Sequence, residues 1–158
     1  MNPMGRSNTP SAQDIAFFIA LLATALALGG ALAHALELPN KIGMSREDYF
    51  IVQRAYHGWN RLAYSLAVEL AGMLAVIWLY RAEPRVLWLA LVALVCLFAA
   101  QAIFWIWTFP ANQATSNWTT QPDNWERWRR EWEYSHLVGA LFQTLAMTAL
   151  IIAVLRRG

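Results

Sequence analysis

From Ile15 to Leu36 the chain is apolar at almost every position, with Thr24 and His34 the polar interruptions. A run of about 20 such residues is what a helix needs to cross a hydrocarbon core about 30 Å thick, so the pattern predicts a spanning helix over 15–38. Pro39-Asn40-Lys41-Ile42-Gly43 is expected to break it. Ser45 then offers an N-cap, followed by Glu47 and Asp48 in a first turn, and no proline intervenes before Pro84. One helix over 46–80 is expected. At roughly 50 Å it exceeds the bilayer, so Glu47 to Arg61 should project from the membrane or lie along it. Arg81 to Arg85 reads as a tight turn. A third apolar helix is expected over 86–109, interrupted mainly by Gln101 and ended by Pro110. Residues 111–122 read as a Thr/Asn/Gln-rich loop, with Asp123 expected to cap a fourth helix over 123–155. That helix begins outside the bilayer, with Trp125, Trp128 and Trp132 set among charges. Residues 1–13, rich in Pro, Gly and Ser, read as a flexible tail. The whole, 1–158, is expected to be one all-α integral membrane domain. Its form is a four-transmembrane-helix bundle with helices 2 and 4 extended beyond the bilayer on one side.

Composition strengthens this reading. Apolar residues make up 58% and charged residues 14%, against about 45–50% and 25% in soluble domains. The net charge of +2, without a basic tract or a phosphate-cradling glycine loop, excludes nucleic acid as an expected partner. Cys96 is the single cysteine and rules out an intrachain disulfide. Ala31-Leu32-Ala33 resembles a signal-peptidase site, but the apolar run before it is longer than a signal core, so an uncleaved first helix is expected. Arg81 and Arg85 in the short turn favour both termini inside. The lipid bilayer is the first expected partner.

Depth along the helices makes the polar residues informative. His34 lies about 27 Å along the first helix from Ala16, and His136 about 28 Å before Leu155 on the fourth. With His57 at or just beyond that level, all three histidines fall at one face. His34-Ala35-Leu36-Glu37 and Glu133-Tyr134-Ser135-His136 are mirrored, and residues three apart share a helical face. His34, Glu37, His57, Glu133 and His136 are therefore a candidate ligand set for one or two ions of iron, copper, manganese or zinc. The alternatives are a metal-free polar pocket, or glutamates that simply pair with Lys41, Arg129 or Arg130. Deeper in the span, Glu69, Gln101 and Gln143 are candidates for the floor of a cavity. An ionisable group there is costly unless it has a role, whereas glutamines also serve to bind helices together. Most of the nine tryptophans fit an interfacial belt, with Trp105 and Trp132 candidates for lining a substrate site.

Thr108-Phe109-Pro110-Ala111-Asn112, Asn117-Trp118, and Asp123-Asn124-Trp125 through Trp132-Glu133-Tyr134-Ser135-His136 resemble the anthrone-oxygenase-like family of small four-helix membrane proteins. The resemblance implies oxidation of a polycyclic phenol by dioxygen without a cofactor. It also implies that Asn112, Asn117, Trp132 and His136 belong to the functional face, and a bacterial inner membrane as location. Together these readings lead to an expected membrane oxidoreductase, of oxygenase type, acting on a small apolar or aromatic molecule. His136 or His57 would be its base, with Glu69 as a further catalytic group. The alternative is a non-enzymatic metal- or ligand-binding protein, or a small subunit of a larger complex, with a second copy of the chain among the expected partners.

Overall fold

A computed structural model of the chain describes residues 9–157. Among these, every regular element is helical, and four helices are long and apolar enough to cross a membrane: Ala12–Lys41, Trp59–Leu79, Pro84–Ala114 and Trp125–Arg156. The chain is an all-α, four-helix integral membrane bundle. The tail expected over 1–13 lies mostly outside the described residues, but its end is ordered into the first helix.

That helix, α1 (Ala12–Lys41), starts with a reciprocal cap. The Ser11 hydroxyl accepts from the Asp14 backbone N–H, and the Asp14 carboxylate accepts from the Ser11 N–H. It does not stop before Pro39 as expected. The proline sits inside the helix, which closes only at Ile42, whose N–H donates to the Leu38 carbonyl at 3.0 Å. A proline removes a single ladder bond, and the extra turn it leaves intact carries Lys41 into the interior, where it is 2% exposed.

The expected continuous second helix is divided. Ser45 caps α2 (Arg46–Gln53) through the Asp48 N–H. Two short 3₁₀ turns, Arg54–Tyr56 and Trp59–Arg61, then flank Gly58 at φ +87°, and α3 (Leu62–Leu79) follows. Only glycine takes that left-handed conformation without cost. The bend lets α2 bury Tyr49 and Phe50 against Trp118 and Trp125, forming a small aromatic core separate from the main one.

The third span also runs past its expected end. α4 (Pro84–Ile103) passes into a π turn, Phe104–Thr108, and then α5 (Phe109–Ala114), with Pro110 in the first turn of α5. The Phe109 N–H donates to the Phe104 carbonyl, five residues back, which accommodates the proline without ending the span. Ser116, Asn117 and Trp118 are all left-handed, with φ of 48°, 54° and 63°. They turn the chain towards α6 (Trp125–Arg156), whose boundary residue is Asn124 rather than Asp123.

Small residues let the spans approach closely. A Cβ added at Gly72 would stand 2.8 Å from the Ala20 backbone, and Ala16, Ala90, Ala93, Ala146, Ala149 and Ala153 line the same core. Arg157 ties α6 to Asp14 of α1 at 2.8 Å, at the end that carries the short 81–83 turn. The long connections and the small aromatic core lie at the other end.

Candidate functional site

Lys41 is the centre of that second end. Its ammonium lies 2.9 Å from Glu133 Oε1 and 3.8 Å from Glu37 Oε2, and it donates to the Tyr56 hydroxyl at 3.0 Å. Tyr56 donates in turn to Glu37. The rings of Tyr56 and Trp132 cover the ammonium, with centres 4.5 and 4.6 Å away. Glu133 is fully buried and also accepts from the Tyr49 hydroxyl at 2.9 Å. Tyr49, in α2 and outside the spanning helices, has its phenol pushed well above the usual range by burial, with the Glu133 carboxylate adding to the effect. It therefore stays a neutral donor to Glu133. The buried Arg129 caps the cluster, donating to the Met44 carbonyl at 2.8 Å with its guanidinium over the Trp125 ring.

Beside this network lies a pair of imidazoles. The rings of His34 and His136 are 4.2 Å apart, centre to centre. Around them stand Tyr56 at 4.4 Å and Trp59 at 5.0 Å from His34, and Trp132 at 4.0 Å from His136. Nδ1 of His136 is 2.7 Å from the Trp132 carbonyl oxygen. A carbonyl can only accept, so Nδ1 carries the proton and Nε2 of the neutral ring keeps its lone pair free. His34 Nδ1 is buried without a partner.

Asn112 shapes the same wall. Its side-chain oxygen accepts from the indoles of both Trp132, at 3.0 Å, and Trp118, at 3.2 Å. The residue thus positions two rings, and its oxygen is already engaged. Asn117 is exposed and contributes its backbone N–H to the Asn112 carbonyl at 2.7 Å.

Of the residues singled out in the sequence, the fold brings together His34, Glu37, Glu133, His136, Trp132 and Asn112. His57 is exposed at the Gly58 bend and lines a separate polar groove with Asn60, Arg61 and Tyr64. Trp105 is 59% exposed on the outer face, against Phe109. Gln101 is half-buried on α4, and Glu69 and Gln143 meet deeper in the span. Both candidate carboxylate ligands turn towards Lys41, the alternative partner. Among the described residues no group of three or more His, Cys, Asp or Glu side chains is arranged to hold a metal ion. The two imidazoles alone fall short of the three protein ligands usual in catalytic zinc sites.

Tyr49 and Tyr56 carry much of the site but were hidden in the sequence, because their roles depend on the bend at Gly58. Trp59 also walls an apolar groove of about 510 Å³ between α1 and α3, lined further by Leu26, Gly29, Gly30 and Leu62. Gly30 is one helical turn from His34, so the groove and the imidazole pair meet across the Trp59 ring. No protein-family model matches the chain, and neither a curated protein nor a solved structure matches it.

Proposed function

We propose that this protein is a membrane-embedded oxidoreductase that uses dioxygen to oxidise a small apolar aromatic molecule drawn from the bilayer. The observation that carries the reading is the imidazole pair, 4.2 Å apart, set in an aromatic box beside an apolar groove between α1 and α3. Histidine is the side chain whose ordinary pKa suits proton abstraction near neutrality, and the His136 tautomer leaves Nε2 to receive the proton. In the step we envisage, Nε2 takes a proton from an activated CH₂ of a phenolic substrate. The substrate anion then reduces dioxygen and forms a C–O bond to it, giving a peroxide anion that recovers the proton from His136. Loss of water leaves a carbonyl, so CH₂ and O₂ become C=O and H₂O. The resemblance over residues 108–136 makes a polycyclic phenol the first substrate to try. A bacterial inner membrane with both termini in the cytoplasm completes the proposal, on the strength of Arg81 and Arg85 in the short turn.

The test is oxygen uptake by the protein in lipid nanodiscs with anthrone as probe, alongside His34→Ala and His136→Ala. The expected result is uptake that falls at least about 100-fold in His136→Ala, the lower range for losing a general base. Anthrone bound without oxygen consumption would replace this reading by a ligand-binding protein. A stoichiometric transition metal, lost from both variants, would replace the base mechanism by a metal-dependent one.

A further inference from the structure

Glu69 stands midway along α3 and is fully buried, and the groups that face it come from two other helices. Gln143 of α6, 4% exposed, donates its side-chain N–H to Glu69 Oε2 at 3.4 Å. Thr24 of α1 is fully buried beside the same carboxyl, and its hydroxyl has no hydrogen-bond partner. Glu69 Oε1, Gln143 Oε1 and Thr24 Oγ1 are all buried without a partner. Among the described residues, the ion pairs are Lys41 with Glu37 and Glu133, Arg127 with Glu131, and Arg157 with Asp14, and none includes Glu69. The buried face of α4, from Val86 through Ala90, Ala93, Cys96 and Leu97 to Ala100, carries one titratable group, the Cys96 thiol. On α6 the nearest titratable side chain towards the aromatic end is His136, about 10 Å away along the axis.

An ionised carboxylate here would have no cation, one long hydrogen bond from Gln143 and only the Thr24 hydroxyl as a further donor, with Gln143 Oε1 left unpartnered beside it, an arrangement poorly able to offset loss of water. One proton resolves all three unpartnered atoms. Protonated Glu69 donates from Oε1 to Gln143 Oε1, and the Thr24 hydroxyl rotates to donate to Glu69 Oε1. The result is a closed, uncharged set of hydrogen bonds linking α1, α3 and α6.

The geometry points to an intramembrane proton-binding site formed by Glu69, Gln143 and Thr24, with Glu69 as its acid. This site is separate from the imidazole pair and does not depend on what the pair does. Its ligand is a proton, and a carboxyl that holds one inside a span is a group able to donate it.

Infrared spectroscopy of the full chain in lipid bilayers tests the assignment. The C=O stretch of a neutral carboxylic acid is well separated from that of a carboxylate. In the wild-type protein at neutral pH, one such band is expected, and in Glu69→Gln it should be lost completely. Glu69→Gln keeps the shape of the neutral acid and should fold. Should it fail to fold, Glu69→Asp keeps the acid and should shift the band instead. A wild-type spectrum without the neutral-acid band overturns the proposal, as does a band unchanged in both variants. Carboxylate bands that move when sodium replaces choline in the buffer, and do so only with Glu69 present, overturn it in favour of an alkali-cation site.

Discussion

Two buried carboxylates, Glu133 and Glu69, are both 0% exposed, yet their surroundings could hardly differ more. Glu133 lies near the end of the bundle with the Lys41 ammonium at 2.9 Å and the Tyr49 hydroxyl at 2.9 Å. Glu69 lies in mid-span among an amide and a hydroxyl, and three oxygens there lack partners, against the single Oε2 at Glu133. The first site meets the cost of buried charge with an opposite charge and charge-assisted hydrogen bonds. The second has no opposite charge, so it must do without charge at all. A long helix carries Lys41 far enough to reach Glu133, whereas a lysine among the apolar faces at mid-depth would itself need a partner. The difference teaches that burial alone does not tell what a carboxylate does. The partner decides.

The most severe way to break this contrast is Lys41→Met. It leaves Glu133 buried without its cation, with an expected loss of about 3–5 kcal/mol. That is a large share of what a small protein has. Thermal unfolding in mild detergent reads the loss, and adding Glu133→Gln to Lys41→Met should recover much of it. Strict additivity of the two changes would show that the pair does not interact. Next comes the direct comparison. Glu133→Gln leaves the ammonium only its longer contact with Glu37 and should cost about 3 kcal/mol, while Glu69→Gln exchanges one neutral group for another and should cost less than about 1 kcal/mol. Equal losses, or the reverse order, would refute the contrast.

Tyr49→Phe sharpens it from the other side by removing a donor to Glu133, at an expected cost of about 1–2 kcal/mol. The phenol's folded pKa is raised above its unfolded value of about 10 by burial and by Glu133. Its contribution is therefore complete below pH 10 or so and is lost as pH rises through the folded value. Alkaline titration of the folded protein should accordingly show the same phenolate absorbance with and without Tyr49. A smaller signal in Tyr49→Phe would mean that the phenol titrates in the native state.

The spans were legible because crossing a bilayer demands long apolar runs with internally satisfied backbones. The mirrored spacing of His34 with Glu37 and Glu133 with His136 was legible too, and the fold brings the two imidazoles side by side. What the carboxylates do was not legible. Glu37 and Glu133 suit a metal or an ammonium equally well on paper, and the last turn of α1, beyond Pro39, brings Lys41 inward beside both. His57 was placed by assuming a straight helix through Gly58, but the left-handed bend turns it outward.

By itself, then, the sequence determined the helices and their approximate depth, since hydropathy and cap signals act over one turn or one span. Tertiary structure alone decided where those helices bend. A proline or a glycine permits several local conformations at similar cost, and packing chooses among them. Tyr49 and Phe50 find their aromatic neighbours only if the chain turns at Gly58, and Trp118 and Trp132 share the Asn112 oxygen only if the third span continues past Pro110. The candidate site is assembled from those choices, because its defining contacts, His34 with His136 and Lys41 with Glu133, join residues far apart along the chain.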